Sequence, residues 1–124
     1  MSNFSVAALF VYGTLRRGGR LHKHMLRQTP RRILPAVTTG ALISLEAYPA
    51  LVGGTGIVRG EWFEYDLPID DLLRHLDRIE GSAYRRAARE VEVEGLGRRQ
   101  AWTYEWARSP EAGPLIPSGD WMNP

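Results

Sequence analysis

From Val6 to Tyr12 the chain is almost continuously apolar, and the run breaks at Gly13. This predicts a buried strand that delivers a tight loop, Gly13 to Gly19, at its end. From Ile33 to Leu45 the residues are mainly Val, Ile, Thr and Leu, with one internal Gly40, predicting a long strand that bends or bulges at the glycine. Tyr48-Pro49 then forces an extended or turn geometry, and Gly53-Gly54-Thr55-Gly56 predicts an exposed hairpin turn. Ile57 to Tyr65 reads as another strand, with Gly60 marking curvature or close packing. Tyr84 to Glu94 and Arg99 to Trp106 read as a hairpin joined through Gly95-Leu96-Gly97. Val91 and Val93 alternate there with Glu90, Glu92 and Glu94, so the acids face water. Trp102, Tyr104 and Trp106 share one face of the last strand as a core or wall stripe.

Two stretches carry helical spacing. Arg20 to Gln28, ended by Pro30, predicts a short helix on which His22 and His24 are surface residues. Two positions apart, these histidines point to different sides and do not form an i, i+4 metal pair. The stronger pattern is Ile69, Leu72, Leu73, Leu76 and Ile79, a single apolar stripe, started by Asp66 and Pro68 and stopped by Gly81. Asp70, Asp71, Arg74, Asp77 and Arg78 fall on the other faces and read as solvated, with Asp70 and Arg74 spaced as an i, i+4 pair.

Glu80 breaks that division. At about 100° per residue it projects near the centre of the apolar stripe, in the last turn of the helix. Burial and the negative end of the helix dipole both raise a carboxyl pKa there, which suits a general base. A frayed terminal side chain that escapes past Gly81 fits the same position. At the first strand's end, glycine lets the backbone approach a ligand, and unpaired N–H groups can gather on a carboxylate or phosphate. From composition alone, an ordinary glycine-rich turn is the simpler reading of those residues.

With 124 residues, 44% of them apolar, and no linker-like stretch, residues 1–124 are read as one domain with one core. The absence of Cys removes disulfides, thiol nucleophiles and cysteine metal sites, and with no leader-like or membrane-spanning stretch it points to a soluble cytoplasmic protein. The net charge is +2 and the pI near 9.3, with Lys23 the only lysine. The basic doublets Arg16-Arg17, Arg31-Arg32, Arg85-Arg86 and Arg98-Arg99 are scattered among acids, which argues against a nucleic-acid stripe. The tail from Ser109 holds four prolines and reads as an irregular arm anchored by Trp121. No Gly-x-Ser-x-Gly elbow surrounds Ser44 or Ser82.

Four motifs in order, Tyr12-Gly13-Thr14-Leu15, Tyr48-Pro49-Ala50, Leu76-Asp77-Arg78-Ile79-Glu80-Gly81 followed by Tyr84-Arg85-Arg86, and Ser118-Gly119-Asp120-Trp121, resemble the gamma-glutamylcyclotransferase-like family, particularly its small bacterial and AIG2-like members. The resemblance covers nearly the whole chain. It implies an α+β fold, a small mixed β-barrel flanked by two or so helices, consistent with the strand glycines. It also implies that Tyr12, Gly13, Thr14 and Leu15 hold the glutamyl part of a small γ-glutamyl substrate, that Glu80 is the catalytic acid/base, and that Tyr84 is a binding residue. The implied reaction is a cyclisation that releases 5-oxoproline and needs neither metal nor cofactor. The leaving-amine half of the pocket would come from Tyr48 to Thr55 and the C-terminal arm. The competing reading is a non-catalytic module of the same fold that binds a small carboxylate or serves assembly.

Overall fold

The computed structural model describes residues 6–124, so the expectation about a leader falls partly on residues outside it. Five strands close into a barrel: β1 (Ala8–Val11), β2 (Arg32–Ser44), β3 (Pro49–Glu64), β4 (Tyr84–Val93) and β5 (Gly97–Trp106), in the spatial order β1-β3-β2-β4-β5. All pairs are antiparallel except β1 with β5, which run parallel at Leu9 and Trp102 and close the ring. Among the described residues, one α-helix, α1 (Asp70–Glu80), and a 3-10 helix (His22–Arg27) pack outside. The expected α+β barrel with external helices is what the chain forms.

β1 is apolar throughout because both its faces are buried. Ala8, Phe10 and Tyr12 point into the barrel, where they meet Leu51, Val58 and Trp62. Leu9, Val11 and Leu15 point outward into a second core with Met25, Phe63 and Tyr65. The apolar stripe of α1, Ile69, Leu72, Leu73 and Leu76, closes that second core. At roughly 2 kcal/mol for each fully buried large aliphatic side chain, this contact dominates the docking of the helix. Gly60 is the point where β3 presses on β1: a Cβ there would lie 2.4 Å from the Val11 carbonyl oxygen and 2.8 Å from the Phe10 ring. The expectation of close packing at Gly60 is met by this contact.

Several local expectations are corrected. The hairpin between β2 and β3 turns at residues 45–48, not at Gly53–Gly56. Those glycines lie inside β3, where the register jumps from Gly40↔Gly56 to Ala41↔Val52 and leaves residues 53–55 as an exposed bulge on one strand. The bend expected at Gly40 is this register shift. Pro68 precedes α1 instead of occupying its first turn; Ile69 is the N-cap residue, with no side-chain cap. Arg74 pairs with Asp71, three residues back, instead of Asp70. The short helix is 3-10 in form, and His22 and His24 are half-buried: the His24 Nδ1 lies 3.0 Å from the His75 Nε2.

The C-terminal arm is held as expected. Ile116 is buried and its N–H donates to the Leu42 carbonyl, 2.8 Å; the Arg59 N–H donates to the Gly119 carbonyl, 2.8 Å; Trp121 packs against the barrel core. Trp102 and Tyr104 belong to the wall beneath α1, with the Arg86 guanidinium 4.7 Å over the Trp102 ring.

If α1 is fixed by its stripe, Leu76→Ala should destabilise the protein by about 3 kcal/mol, since Leu76 is fully buried. Urea unfolding measures this, and a change below about 1 kcal/mol would contradict the packing described.

Candidate active site

One cavity of about 430 Å³ opens beside the C-terminal end of α1. It gathers the residues after β1, the first residues of β3, the last turn of α1 and the start of β4. Tyr12, Gly13, Thr14, Leu15, Glu80 and Tyr84, the six candidate residues, all line it. Tyr48 and Pro49 also line it, whereas no residue of the bulge at 53–55 or of the C-terminal arm does. The expected contribution of Tyr48 to Thr55 and the C-terminal arm to the pocket is therefore reduced to Tyr48 and Pro49.

Pro49 is the hinge pin of this arrangement. A Cβ on Gly13 would stand 2.7 Å from the Pro49 Cγ, so only glycine lets the loop lie against the proline ring. From the other side the Tyr84 hydroxyl donates to the Pro49 carbonyl, 2.8 Å. Tyr84 also stacks edge-on against Trp106, with ring centroids 5.2 Å apart, and lies 6.4 Å from Tyr48. Tyr12 is saturated: its hydroxyl donates to the Tyr104 carbonyl, 2.6 Å, and accepts from the Leu51 N–H, 3.1 Å. Burial pushes its pKa well up, so this hydroxyl is a neutral tie between strands and offers the cavity a ring face.

The loop is built to present donors. The Arg16 N–H returns to the Gly13 carbonyl, 3.1 Å, and the Leu21 N–H to the Thr14 carbonyl, 2.9 Å. The His22 Nδ1 lies 3.2 Å from the Leu15 carbonyl oxygen and donates to it. The carbonyls are thus occupied, while among the described residues the N–H groups of Gly13, Thr14 and Leu15 find no acceptor. Successive free amides at a strand end form an anion-binding concavity. Two acids hold the loop from outside: Asp120 takes Arg16 at 2.8 Å, and buried Glu61 accepts from both the Arg17 backbone N–H and Nε, 2.8 Å each. Sequence reading passes over Glu61 and Asp120 as supports, because their partners are 44 and 104 residues away.

Glu80 is half-buried, and no described residue hydrogen-bonds its carboxylate. Burial alone pushes its pKa up to about 7. Its charge also raises the pKa values of Tyr12, Tyr84 and Tyr104, each already raised mainly by burial, which puts all three hydroxyls in its field. Asp77, one turn earlier, has the opposite fate. Burial would raise it, but hydrogen bonds from the Arg86 Nε (2.9 Å), the Arg86 Nη2 (3.2 Å) and the Tyr104 hydroxyl (2.7 Å) hold its pKa below the usual range. The expectation that Asp77 is solvated is corrected by this clamp, which fastens α1 to β4 and β5. Two carboxyls on one helix are thus separated in proton affinity by environment.

The Glu80 carboxyl binds its proton more tightly in the folded chain than in the unfolded one. Its contribution to stability is complete below about pH 4.5 and is lost as pH rises through about 7. Glu80→Gln cannot ionise, so the wild-type-minus-variant difference in unfolding free energy should fall by roughly 2–3 kcal/mol between pH 4.5 and about pH 8. A difference independent of pH, measured by urea titration, would contradict the buried placement of Glu80.

The same chain architecture is found in known proteins. The profile described as Gamma-glutamyl cyclotransferase, AIG2-like matches residues 9–123. The Gamma-glutamylaminecyclotransferase of Rattus norvegicus is 36% identical over 110 residues, 74% of this chain and 70% of the rat protein. The gamma-glutamylcyclotransferase family protein YtfP of Escherichia coli is 34% identical over 93% of this chain and 96% of its own length. Among solved structures, YkqA from Bacillus subtilis superposes with a TM-score of 0.74 at 30% identity over 93% of this chain, which spans 39% of YkqA. The chain belongs to the gamma-glutamyl cyclotransferase, AIG2-like family.

Proposed function

We propose that the protein is a cyclotransferase that converts a γ-glutamyl compound into 5-oxoproline and a free amine, with Glu80 as general base and then general acid. The observation that carries this reading is the pairing, across one cavity, of a desolvated carboxyl with free amides of a strand-end loop. The printed name of the rat relative, which is a gamma-glutamylaminecyclotransferase, supports it.

The reaction joins two atoms of one molecule. The α-amine attacks the γ-carbonyl carbon, a C–N bond closes the five-membered ring, and the original γ-amide C–N bond breaks. The cavity has to hold the curled conformer, and orientation of this kind can supply on the order of 7 kcal/mol or more. The N–H groups of Gly13, Thr14 and Leu15 would hold the α-carboxylate or the developing oxyanion, where fixed donors act with little reorganisation. Leu15 is buried, so its contribution is its backbone alone. The Glu80 carboxylate takes one proton from the α-ammonium and passes it to the leaving nitrogen; the second proton, shed by the ring nitrogen as the lactam forms, goes to the released amine, which leaves as an ammonium. A carboxyl with a pKa of about 7 suits both transfers near neutral pH. Tyr84, tied to Pro49, walls the leaving-group side and keeps water out.

Glu80→Gln preserves the shape and removes the base, so 5-oxoproline release from γ-glutamyl substrates should fall by about 10² to 10⁴. Since the base must be ionised, wild-type kcat/KM should rise with pH to a plateau above about 7. Release by the variant at the wild-type rate would reject Glu80 as the proton carrier.

A further inference from the structure

The cavity's charges divide unequally. Among the described residues, two formally charged side chains line it, Glu80 and Arg20. The other arginines around the site are spoken for: Arg16 by Asp120, Arg17 by Glu61 and Arg86 by Asp77. Arg20 is exposed and has no acidic partner among the described residues. It follows the donor loop directly, on the segment that the Leu21 N–H ties to the Thr14 carbonyl.

A γ-glutamyl substrate has two halves with different electrostatic needs. The glutamyl half brings one carboxylate and one ammonium, matched by the loop amides and by Glu80. The leaving half is then left with the rest of the lining, in which Tyr48, Pro49, Ala83 and Tyr84 carry no formal charge and Arg20 does. That remainder is positive. A leaving group bearing a cation would be repelled by Arg20, and its sole carboxylate partner would be Glu80, which must stay free for proton transfer. A leaving group bearing a carboxylate would meet an unpaired guanidinium suited to bidentate binding.

Resting on the cyclotransferase reading, we propose that Arg20 is a specificity residue for the leaving group, selecting γ-glutamyl amino acids, whose released amine carries a carboxylate, over γ-glutamyl amines and polyamines. The selection is moderate because the guanidinium is exposed to water and salt.

Three substrates test it: γ-glutamyl-alanine, γ-glutamyl-ethylamide, which lacks only the second carboxylate, and γ-glutamyl-putrescine, which carries a cation. Wild-type kcat/KM should favour γ-glutamyl-alanine over the ethylamide by about tenfold, with the putrescine compound lower still. In Arg20→Gln the alanine-to-ethylamide ratio should collapse toward one. A wild-type enzyme that prefers or equally accepts the ethylamide or the putrescine compound would overturn the proposal. So would an Arg20→Gln variant that loses both of the first two substrates in equal measure, since Arg20 would then serve the glutamyl half. Calorimetric binding of the same pair judges Arg20 apart from turnover. Tenfold tighter binding of γ-glutamyl-alanine, abolished in Arg20→Gln, supports its role even if no 5-oxoproline forms, an outcome that would reject the cyclotransferase reading alone. Equal binding of the pair overturns the Arg20 proposal.

Discussion

The site depends on how one short helix lies on the barrel. Leu72, Leu73 and Leu76 anchor α1 over Leu9, Val11 and Phe63, and the helix has little freedom to rotate because that stripe is its only apolar face. Once the stripe is docked, the position one turn beyond Leu76 is carried to the same side, over the edge of the core and into the cavity. Glu80 occupies that position. The cost of desolvating its carboxyl is borne by the packing of the leucines, and the result is a proton affinity shifted into the working range of a base. The Asp77 clamp to Arg86 and Tyr104 fixes the same helix in rotation from its other flank.

The opposite wall is fixed by contacts that converge on Pro49. Gly13 lies against its ring, Tyr84 bonds its carbonyl, and the Leu51 N–H two residues on bonds the Tyr12 hydroxyl. Three segments far apart in sequence thereby share one reference point, and the donor loop is ordered before any ligand arrives. Arg16 and Arg17 extend this outward to Asp120 and Glu61. A loop held in this way loses little conformational freedom when it binds a ligand.

Much of this was legible in the residues. The inward position of Glu80 follows from periodicity, because a helix with a strong stripe fixes the direction of every side chain on it. The break at Gly13 marked the loop, and Gly60 marked the close approach of strands. What local pattern could not supply was pairing across distance. Asp77 looked solvated since its partners Arg86 and Tyr104 lie on strands whose register no local signal fixes. The Gly53–Gly56 run carried the chemistry of a turn, yet pairing of the flanking residues with β2 made it a bulge within a strand, while the less glycine-rich Leu45–Tyr48 segment turned the hairpin. Arg20 was indistinguishable from its neighbours until the structure showed which arginines already had partners.

These contacts together hold the Glu80 carboxyl out of water in a cavity that it shares with the donor loop. Its titration can be followed by NMR of the side-chain carboxyl carbon across the pH range, in protein labelled at glutamate side chains and assigned through Glu80→Gln. The midpoint should lie near pH 7; a midpoint at the ordinary value near 4.5 would place the side chain in bulk solvent and refute the buried carboxyl.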